Sequence, residues 1–416
     1  MSSAVPPPPL PVAVSRRAQA HAITASFLGW TLDAFDFFIL VFMMDRVAAD
    51  FHVDKAAIVF TLTGTLALRP VGAVVFGMLA DRYGRRRPLI ANVIFFSLVE
   101  LCCGFAPSYT VFLLLRCLYG IGMGGEWGVG ASLAMEIAPQ RHRGLLSGIL
   151  QSGYSVGYLL AAVAAWAILP HFSLHLGWRV MFWSGGLPAL LALYIRARVP
   201  ESEAWKQHRA PSVSALLRTL AGHGKSFAYL VGLMTLMMFL SHGTQDLYPD
   251  FLKTVHGFST GTVSSIAILY NMAAVLGAVV FGHFSEVGRR RSMIFALGLS
   301  LAMIPLWAFG QGWLWLALGA CLMQVGVQGA WGVIPAHLNE LAPDSARGLM
   351  PGLAYQLGIL FASPVNSIEY HLRDHLGYPG ALALFEAVVI LCLAAALLLG
   401  HEQRGRSFLG PPAPDG

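Results

Sequence analysis

Twelve apolar stretches follow one another along this chain, each of about 20 residues and so long enough, at ~1.5 Å per helical residue, to cross a hydrocarbon layer. They lie near residues 23–44, 57–80, 88–106, 110–134, 145–169 and 179–196, then 227–249, 262–284, 292–310, 313–338, 350–370 and 380–400. Lipid offers no partner to a backbone N–H or C=O, so such a chain must be helical or a closed barrel. The two-residue alternation of barrel strands is absent. With 56% hydrophobic and 12% charged residues, the chain carries about half the charge of an ordinary soluble surface. The expected fold class is an all-α, multi-pass membrane protein of 12 transmembrane helices, with the bilayer as its surroundings.

The positive charges predict the orientation. With both ends on the cytoplasmic side, twenty Lys and Arg fall in cytoplasmic segments and five in outer ones (Arg46, Lys55, Arg179, Lys253, Arg373). Arg69 and Arg116 are intramembrane. That bias predicts N-in and C-in, and the compact loops and lack of a targeting sequence suggest a plasma membrane of bacterial inner-membrane type. The net charge of +6 sits in these short loops, so it is a topology signal and not a nucleic-acid surface. Residues 1–20 are Pro-rich and lack the apolar core of a cleavable signal; they are expected to form a disordered tail, as are residues 401–416. The polar, basic stretch 199–226 divides the spans six and six. Residues 21–198 and 227–400 are therefore expected to be two six-helix bundles joined by a cytoplasmic linker. Cys102, Cys103, Cys117, Cys321 and Cys392 all lie in apolar runs without zinc-ligand spacing, and no metal, cofactor or disulfide framework is indicated.

The two halves repeat. GMLADRYGRRR (77–87) follows the second span and GHFSEVGRRR (282–291) the eighth, while EIAPQRHRG (136–144) returns as ELAPDSARG (340–348). The step from 136 to 340 is 204 residues, and the same offset aligns Gly84 with Gly288 and Trp127 with Trp331. Parallel repeats about the membrane normal place a site between them near the midplane. The GMLADRYGRRR loop and its second copy resemble the signature of the major facilitator superfamily, which implies that superfamily's fold of two six-helix repeats. In this loop Gly77 permits close helix approach, and Asp81 can cap a neighbouring helix or pair with arginine. Arg82, Gly84 and Arg85, with Glu286 and Arg289 of the second copy, complete an expected gate. Gly120, Gly124 and Gly128, and Gly153 with Gly157, recur every four residues and predict closely packed helix faces.

An ionisable group at membrane depth is costly and marks a substrate or proton pathway. Asp33 and Asp36 lie one turn apart and share a face of the first span, with Arg69 at similar depth on the second. A buried Arg offers a two-pronged fork to a carboxylate, so Arg69 is expected to bind an anionic substrate; the alternative is a permanent ion pair with an aspartate. His242, Gln245 and Asp246, spaced i, i+3, i+4 on the seventh span, face one way as a candidate proton relay or an outer-gate hydrogen-bond network. Arg116 and Glu126, ten residues apart on the fourth span, are expected to serve coupling without touching. Asn271, Gln324, Gln328 and Gln356 are candidate cavity-lining amides, and Glu100, Glu369 and Glu386 carry no assignment.

SHGTQDLYP (241–249) resembles the seventh-helix signature of the lactate/pyruvate:proton permeases in the sialate:proton symporter branch of the major facilitators. Ser241, His242, Thr244, Gln245 and Asp246 match it, and Met238 stands where that signature has Asn. GWTLDAFDFF (29–38) and ALRPVGA (67–73) are similar to the same branch. The resemblance implies alternating-access transport of a small monocarboxylate, lactate- or pyruvate-like, with a proton. It assigns substrate and proton handling to His242, Asp246 and Arg69, and a substrate contact to Gln356. Combined with the residue reading, the expected substrate-binding set is Arg69, His242, Gln245, Asn271 and Gln356, and the proton-coupling set is Asp33, Asp36, Arg116, Glu126 and Asp246.

Rival readings are an aromatic-acid symporter, which DAFDFF also resembles, a sialate symporter, and a transporter-like nutrient sensor. The stretch 199–226 is too short and polar to add the extra spans of sialate members, and no long soluble signalling segment is present. An enzyme is not expected: GIGMGG (120–125) resembles a dinucleotide loop only superficially, since it lies inside a span. The expected partners are a small organic anion and a proton, handled by a monomer.

Overall fold

The computed structural model describes residues 15–210 and 212–409, which form helices joined by short loops and no strands. The Pro-rich start through residue 14 and residues 410–416, both expected to be loose tails, lie outside the described residues. Helix α1 (Arg16–Asp50) starts ahead of its predicted span because the Ser15 side chain caps it, accepting the Ala18 N–H at 3.3 Å. Residues 16–20, expected in the tail, are therefore helical. Then come α2 (Lys55–Tyr83), α3 (Arg86–Cys103), α4 (Tyr109–Ile137) and α5 (Arg143–Ile168), each over a predicted span.

The predicted sixth span is broken into α6 (Leu174–Ser184) and α7 (Pro188–Arg198). Two glycines and Pro188, which supplies no N–H but a preset φ, end one helix and start the next. The linker holds α8 (Glu203–His208) and α9 (Val213–Gly222), capped by Ser202 and Ser212. The second half continues with α10 (Gly224–Gln245), α11 (Tyr248–Thr254), α12 (Thr260–Phe284), α13 (Arg289–Phe309), α14 (Trp313–Leu341), α15 (Met350–Phe361) and α16 (Val365–Leu399). Nine helical stretches among the described residues are long and apolar enough to cross a membrane. The last of them, Met350–Leu399, is 50 residues long and holds both the eleventh and twelfth predicted spans. It turns back at Gly377, whose φ of 71° suits glycine. α3 and α4 lie over the other two predicted spans.

The repeat survives in three dimensions. α4 and α14 are each 29 residues long, and Tyr109 and Trp313 start them at the same 204-residue offset that the motifs show. Within each half α2 packs on α4 and α12 on α14; between halves α5 meets α12 and α14, and α15 meets α2 and α4. In lipid the gain on helix association is mostly packing, so small residues let backbones touch. Along the α2–α4 seam, a Cβ at Gly72, Gly120 or Gly124 runs into the carbonyl of Ile121, Thr65 or Arg69 respectively.

Gly124→Val should therefore overpack this seam and destabilise the protein by roughly 1–3 kcal/mol. Gly298→Val, at a helical site with nothing within 4 Å of the added carbon, should melt near the wild type. Thermal unfolding in detergent checks the pair; equal melting temperatures would remove backbone contact as the reason for these glycines.

Candidate functional site

The Arg-rich ends of the helices are closed by two related sets of buried charges. Arg85 reaches across to α4 and grips Glu136 with both prongs, Nη2 to Oε1 at 2.8 Å and Nε to Oε2 at 3.2 Å. Its repeat partner Arg289 grips Glu340 of α14 the same way, at 3.0 and 3.1 Å. Burial alone would lower the Arg85 guanidinium; Glu136 and Asp81 outweigh it and hold it above its ordinary value. Asp81 also accepts the N–H of Gly348 at 2.8 Å and of Leu349 at 2.9 Å, just ahead of α15. In the mirror position Glu286 accepts the N–H of Gly144 at 2.7 Å and of Leu145 at 3.1 Å, in the first turn of α5. Each half thus clasps a helix of the other half by its N-terminus, where backbone N–H groups lack internal partners.

Gly77 lets Leu349 approach, with its Cα 2.7 Å from where a Cβ would stand. Gly84, at φ 107°, makes room for Glu201, which accepts the Arg85 N–H at 2.8 Å. Arg82 lies over the Tyr83 ring, outside these clasps. Arg143 and Arg347 flank the two Arg–Glu forks, and Phe408 lies against both guanidiniums at 3.9 and 3.8 Å. The segment after α16, expected to be loose, is docked here as far as residue 409: Arg406 donates to the carbonyls of Glu340 at 3.2 Å and Ala342 at 3.0 Å.

Midway along the bundle the two halves meet in an aromatic cluster. Trp127 stacks on Tyr355 at 4.3 Å, and its repeat partner Trp331 meets the same ring edge-on at 5.7 Å. Trp30 stands edge-on to Tyr355 at 6.1 Å and stacks on Tyr154 at 5.6 Å. Arg69 is only 4% exposed, its Cζ 6.0 Å from the Tyr355 ring. Its Nε and Nη2 donate to nothing in the protein, and neither do the indole N–H groups of Trp30 and Trp331. Trp127, by contrast, donates to Gln151 at 3.2 Å. Gln356 donates to the Gly124 carbonyl at 3.4 Å and keeps a free Oε1. Several buried donors without acceptors, gathered round one ring and including a guanidinium, suit an anion.

On α10, His242 Nδ1 lies 3.1 Å from Asp246 Oδ2, which also accepts from Asn366 Nδ2 at 3.2 Å. Both side chains are about a third exposed, at 39% and 35%, so this pair faces open space. Arg69 is within electrostatic reach of His242, and Tyr154 of both Arg69 and Asp246, so the pair and the aromatic cluster share one interior. Gln245 departs from the expected common face: it donates to Gln324 Oε1 of α14 at 2.9 Å. Asn271 donates to the Ala267 carbonyl of its own helix at 2.9 Å and is not gathered with Arg69.

A second charged group sits inside the first half. Arg116 does not serve Glu126; it pairs with Glu100 of α3 at 2.8 Å, both side chains fully buried. Its guanidinium also rests on the Tyr119 ring at 4.4 Å, and Tyr119 donates to the Asp33 carbonyl at 2.9 Å. Arg69 is within electrostatic reach of Asp33, whereas Asp36 lies toward Glu100 and Arg116. The α6–α7 break accommodates both acids: a Cβ on Gly185 would come within 2.5 Å of Glu100 Cγ and 3.1 Å of Asp36 Oδ1. Both oxygens of Asp36 and of Glu126 are without a hydrogen bond, and Glu126 turns toward Gly29.

Sequence reasoning missed Glu100, Glu136, Glu340, Tyr355 and Asn366. A signal existed for three of them. Glu136 and Glu340 stand at equivalent places in the repeated motif, as Arg85 and Arg289 do, and Glu100 and Arg116 lie at similar depth on antiparallel neighbours.

Residues 22–223 match the family profile described as "Sugar (and other) transporter", and residues 231–414 that described as "Major Facilitator Superfamily". The chain is 29% identical over 428 residues to the carboxylic acid transporter protein homolog of Saccharomyces cerevisiae, covering 92% of this chain and 68% of that protein. It is 30% identical over 402 residues to the probable 4-methylmuconolactone transporter of Cupriavidus pinatubonensis, covering 93% and 91%. The solved structure of the proton:xylose symporter XylE bound to 6-bromo-6-deoxy-D-glucose has a TM-score of 0.78 at 19% identity, over 94% of this chain and 98% of that one.

Replacing Arg85 by Met strands Glu136 among buried groups, and the expected loss is about 3–5 kcal/mol. Replacing both members, Arg85→Met with Glu136→Met, removes the Glu136 charge and should recover part of the melting temperature, Asp81 keeping its bonds from the Gly348 and Leu349 N–H groups. A double variant no more stable than Arg85→Met would contradict a pairwise fork.

Proposed function

Since this chain belongs to the major facilitator superfamily and is a multi-pass membrane transporter, we propose that it carries a small organic anion with a proton by alternating access, the anion's carboxylate resting on Arg69. The observation that carries this reading is the buried guanidinium with two nitrogens unpartnered, placed where the halves meet. With the Arg-rich loops on the cytoplasmic side, the closed end is the inner one, and His242 and Asp246 face the outer approach. The two six-helix bundles then rock about Arg69, and the Asp81 and Glu286 clasps open in the inward state.

Coupling follows from competition for one cation. Arg69 is the cation within electrostatic reach of Asp33 in the substrate-free protein. A bound carboxylate takes that guanidinium, Asp33 loses the attraction Arg69 gives its ionised form, and a proton on Asp33 is favoured further. Anion and proton thereby favour each other's binding, and one of each moves no net charge. Asp36, paired by position with Glu100 and Arg116, and Glu126 are a reserve of acids that pass the proton inward.

The substrate class that the aromatic cluster favours is a planar, unsaturated acid. Trp30, Trp127, Trp331 and Tyr355 give flat, weakly polar surfaces around Arg69, and π-faces pack best on π-faces. Two relatives are named for a carboxylic acid and a muconolactone, which agrees with a small organic acid. The α10 segment 241–249 favours a second reading, lactate or pyruvate.

Uptake of radiolabelled benzoate, cis,cis-muconate and L-lactate into proteoliposomes, with and without an inward proton gradient, separates these readings. Gradient-driven accumulation of the planar acids over lactate is expected; lactate alone accumulating would favour the second. Loss of charge-assisted hydrogen bonds at ~1.5–3 kcal/mol should lower uptake by Arg69→Gln roughly 10- to 100-fold. Wild-type uptake by that variant would sink the scheme.

A further inference from the structure

Glu369 and Glu386 have no part in the transport scheme above. They lie on opposite sides of the Gly377 turn in α16, 1% and 0% exposed. None of their four carboxyl oxygens has a hydrogen-bond partner in the protein. Glu386 is pressed against the α10 backbone at Gly243, where an added Cβ would collide with its Oε1, and Phe385 beside it packs on Phe239 at 5.9 Å. Gly243 follows His242 directly and precedes Asp246 by less than one turn. Asn366, which donates to Asp246 at 3.2 Å, stands one turn before Glu369 on the same helix. Glu369 is within electrostatic reach of Asp246 and of Glu386, so the partly exposed Asp246 and the two buried glutamates share one neighbourhood along α10 and α16.

Among the described residues, no salt bridge or hydrogen bond joins a cation to Glu369 or Glu386. Among those residues, the charged or titratable groups facing the pair from α10 are His242 and Asp246, already joined to each other at 3.1 Å. Arg373, one turn beyond Glu369, lies over the rings of Tyr370 and Tyr378 at 4.4 and 5.3 Å. α13, packed on another side of α16, carries its only charges in its first turn, Arg289 to Arg291. α15 has none. Two ionised carboxylates buried within electrostatic reach of each other would face both burial and mutual repulsion.

We propose that Glu369 and Glu386 together form a buried proton-binding site in the second half, reached from open space through His242 and Asp246 and holding at least one proton while the Arg-rich end is closed. Its use in the transport cycle rests on the proton-coupled reading above; the presence of the proton does not. A buried carboxyl group that keeps its proton needs no counter-cation, which accounts for the absence of one. Gly243 is the complementary feature, because any larger residue there would push Glu386 away from α10.

The test is infrared spectroscopy of the purified protein in lipid vesicles without substrate, comparing wild type with Glu369→Gln and Glu386→Gln at neutral pH. Glutamine keeps the size of the side chain and its neutral state, so both variants should fold. The expected difference spectra each contain a protonated-carboxyl carbonyl band present in the wild type and absent from the variant. The wild-type band should fade as the pH is raised. Difference spectra that show only ionised-carboxylate bands, or none at both positions, overturn the proposal. Melting temperatures give an independent readout: Glu386→Gln should lose less stability than the wild type on going to alkaline pH, and parallel curves for all three proteins count against the site. If the band is found and uptake proves independent of a proton gradient, the site stands and the symport reading falls.

Discussion

Two buried guanidinium–carboxylate forks, Arg85 on Glu136 and Arg289 on Glu340, hold the rest of the molecule in the arrangement seen here. Each joins a loop to the end of a long helix, and each places an acid one turn or less away to clasp a helix of the opposite half. A buried ion pair is poor value for stability, because desolvation cancels most of the attraction. Its worth is geometric: a fork fixes direction as well as distance. The Arg-rich end is thereby shut by contacts that are directional as well as buried.

Much of this architecture was legible in the sequence because lipid is an exacting solvent. Length and apolarity located the helices, since neither can be compromised when the backbone has no water to fall back on. The 204-residue repeat predicted that α4 and α14 would be equivalent, and they begin and end in register. What stayed hidden were the interruptions. Average hydropathy is blind to the Gly185–Pro188 break and to the turn at Gly377, because a glycine or proline barely alters the mean of a long window.

The site divides along the same line. Arg69, Asp33 and His242 could be picked out one at a time, because a charged residue among apolar neighbours is conspicuous in a string of letters. Their partners could not. That Arg116 chooses Glu100 over Glu126 depends on the rotation of α3 against α4, which the periodicity of a single span does not contain. Tyr355 was invisible for the opposite reason: an aromatic in an apolar helix looks like any other core residue until Trp127 and Trp331 arrive on it from the two repeats.

The two halves are alike in backbone and unlike in charge. The first half has Arg116 buried among its acids, while Glu369 and Glu386 in the second are left without a counter-ion. Phe408 breaks the likeness further, since a single ring serves two repeat-related arginines, Arg143 and Arg347. That ring belongs to a stretch that follows the last membrane helix in the chain. The seal at the Arg-rich end can therefore be completed only after the last membrane helix has been made. Until then, rearrangement among the inserted helices is not opposed by the finished clasp, and closure comes as the final step of assembly.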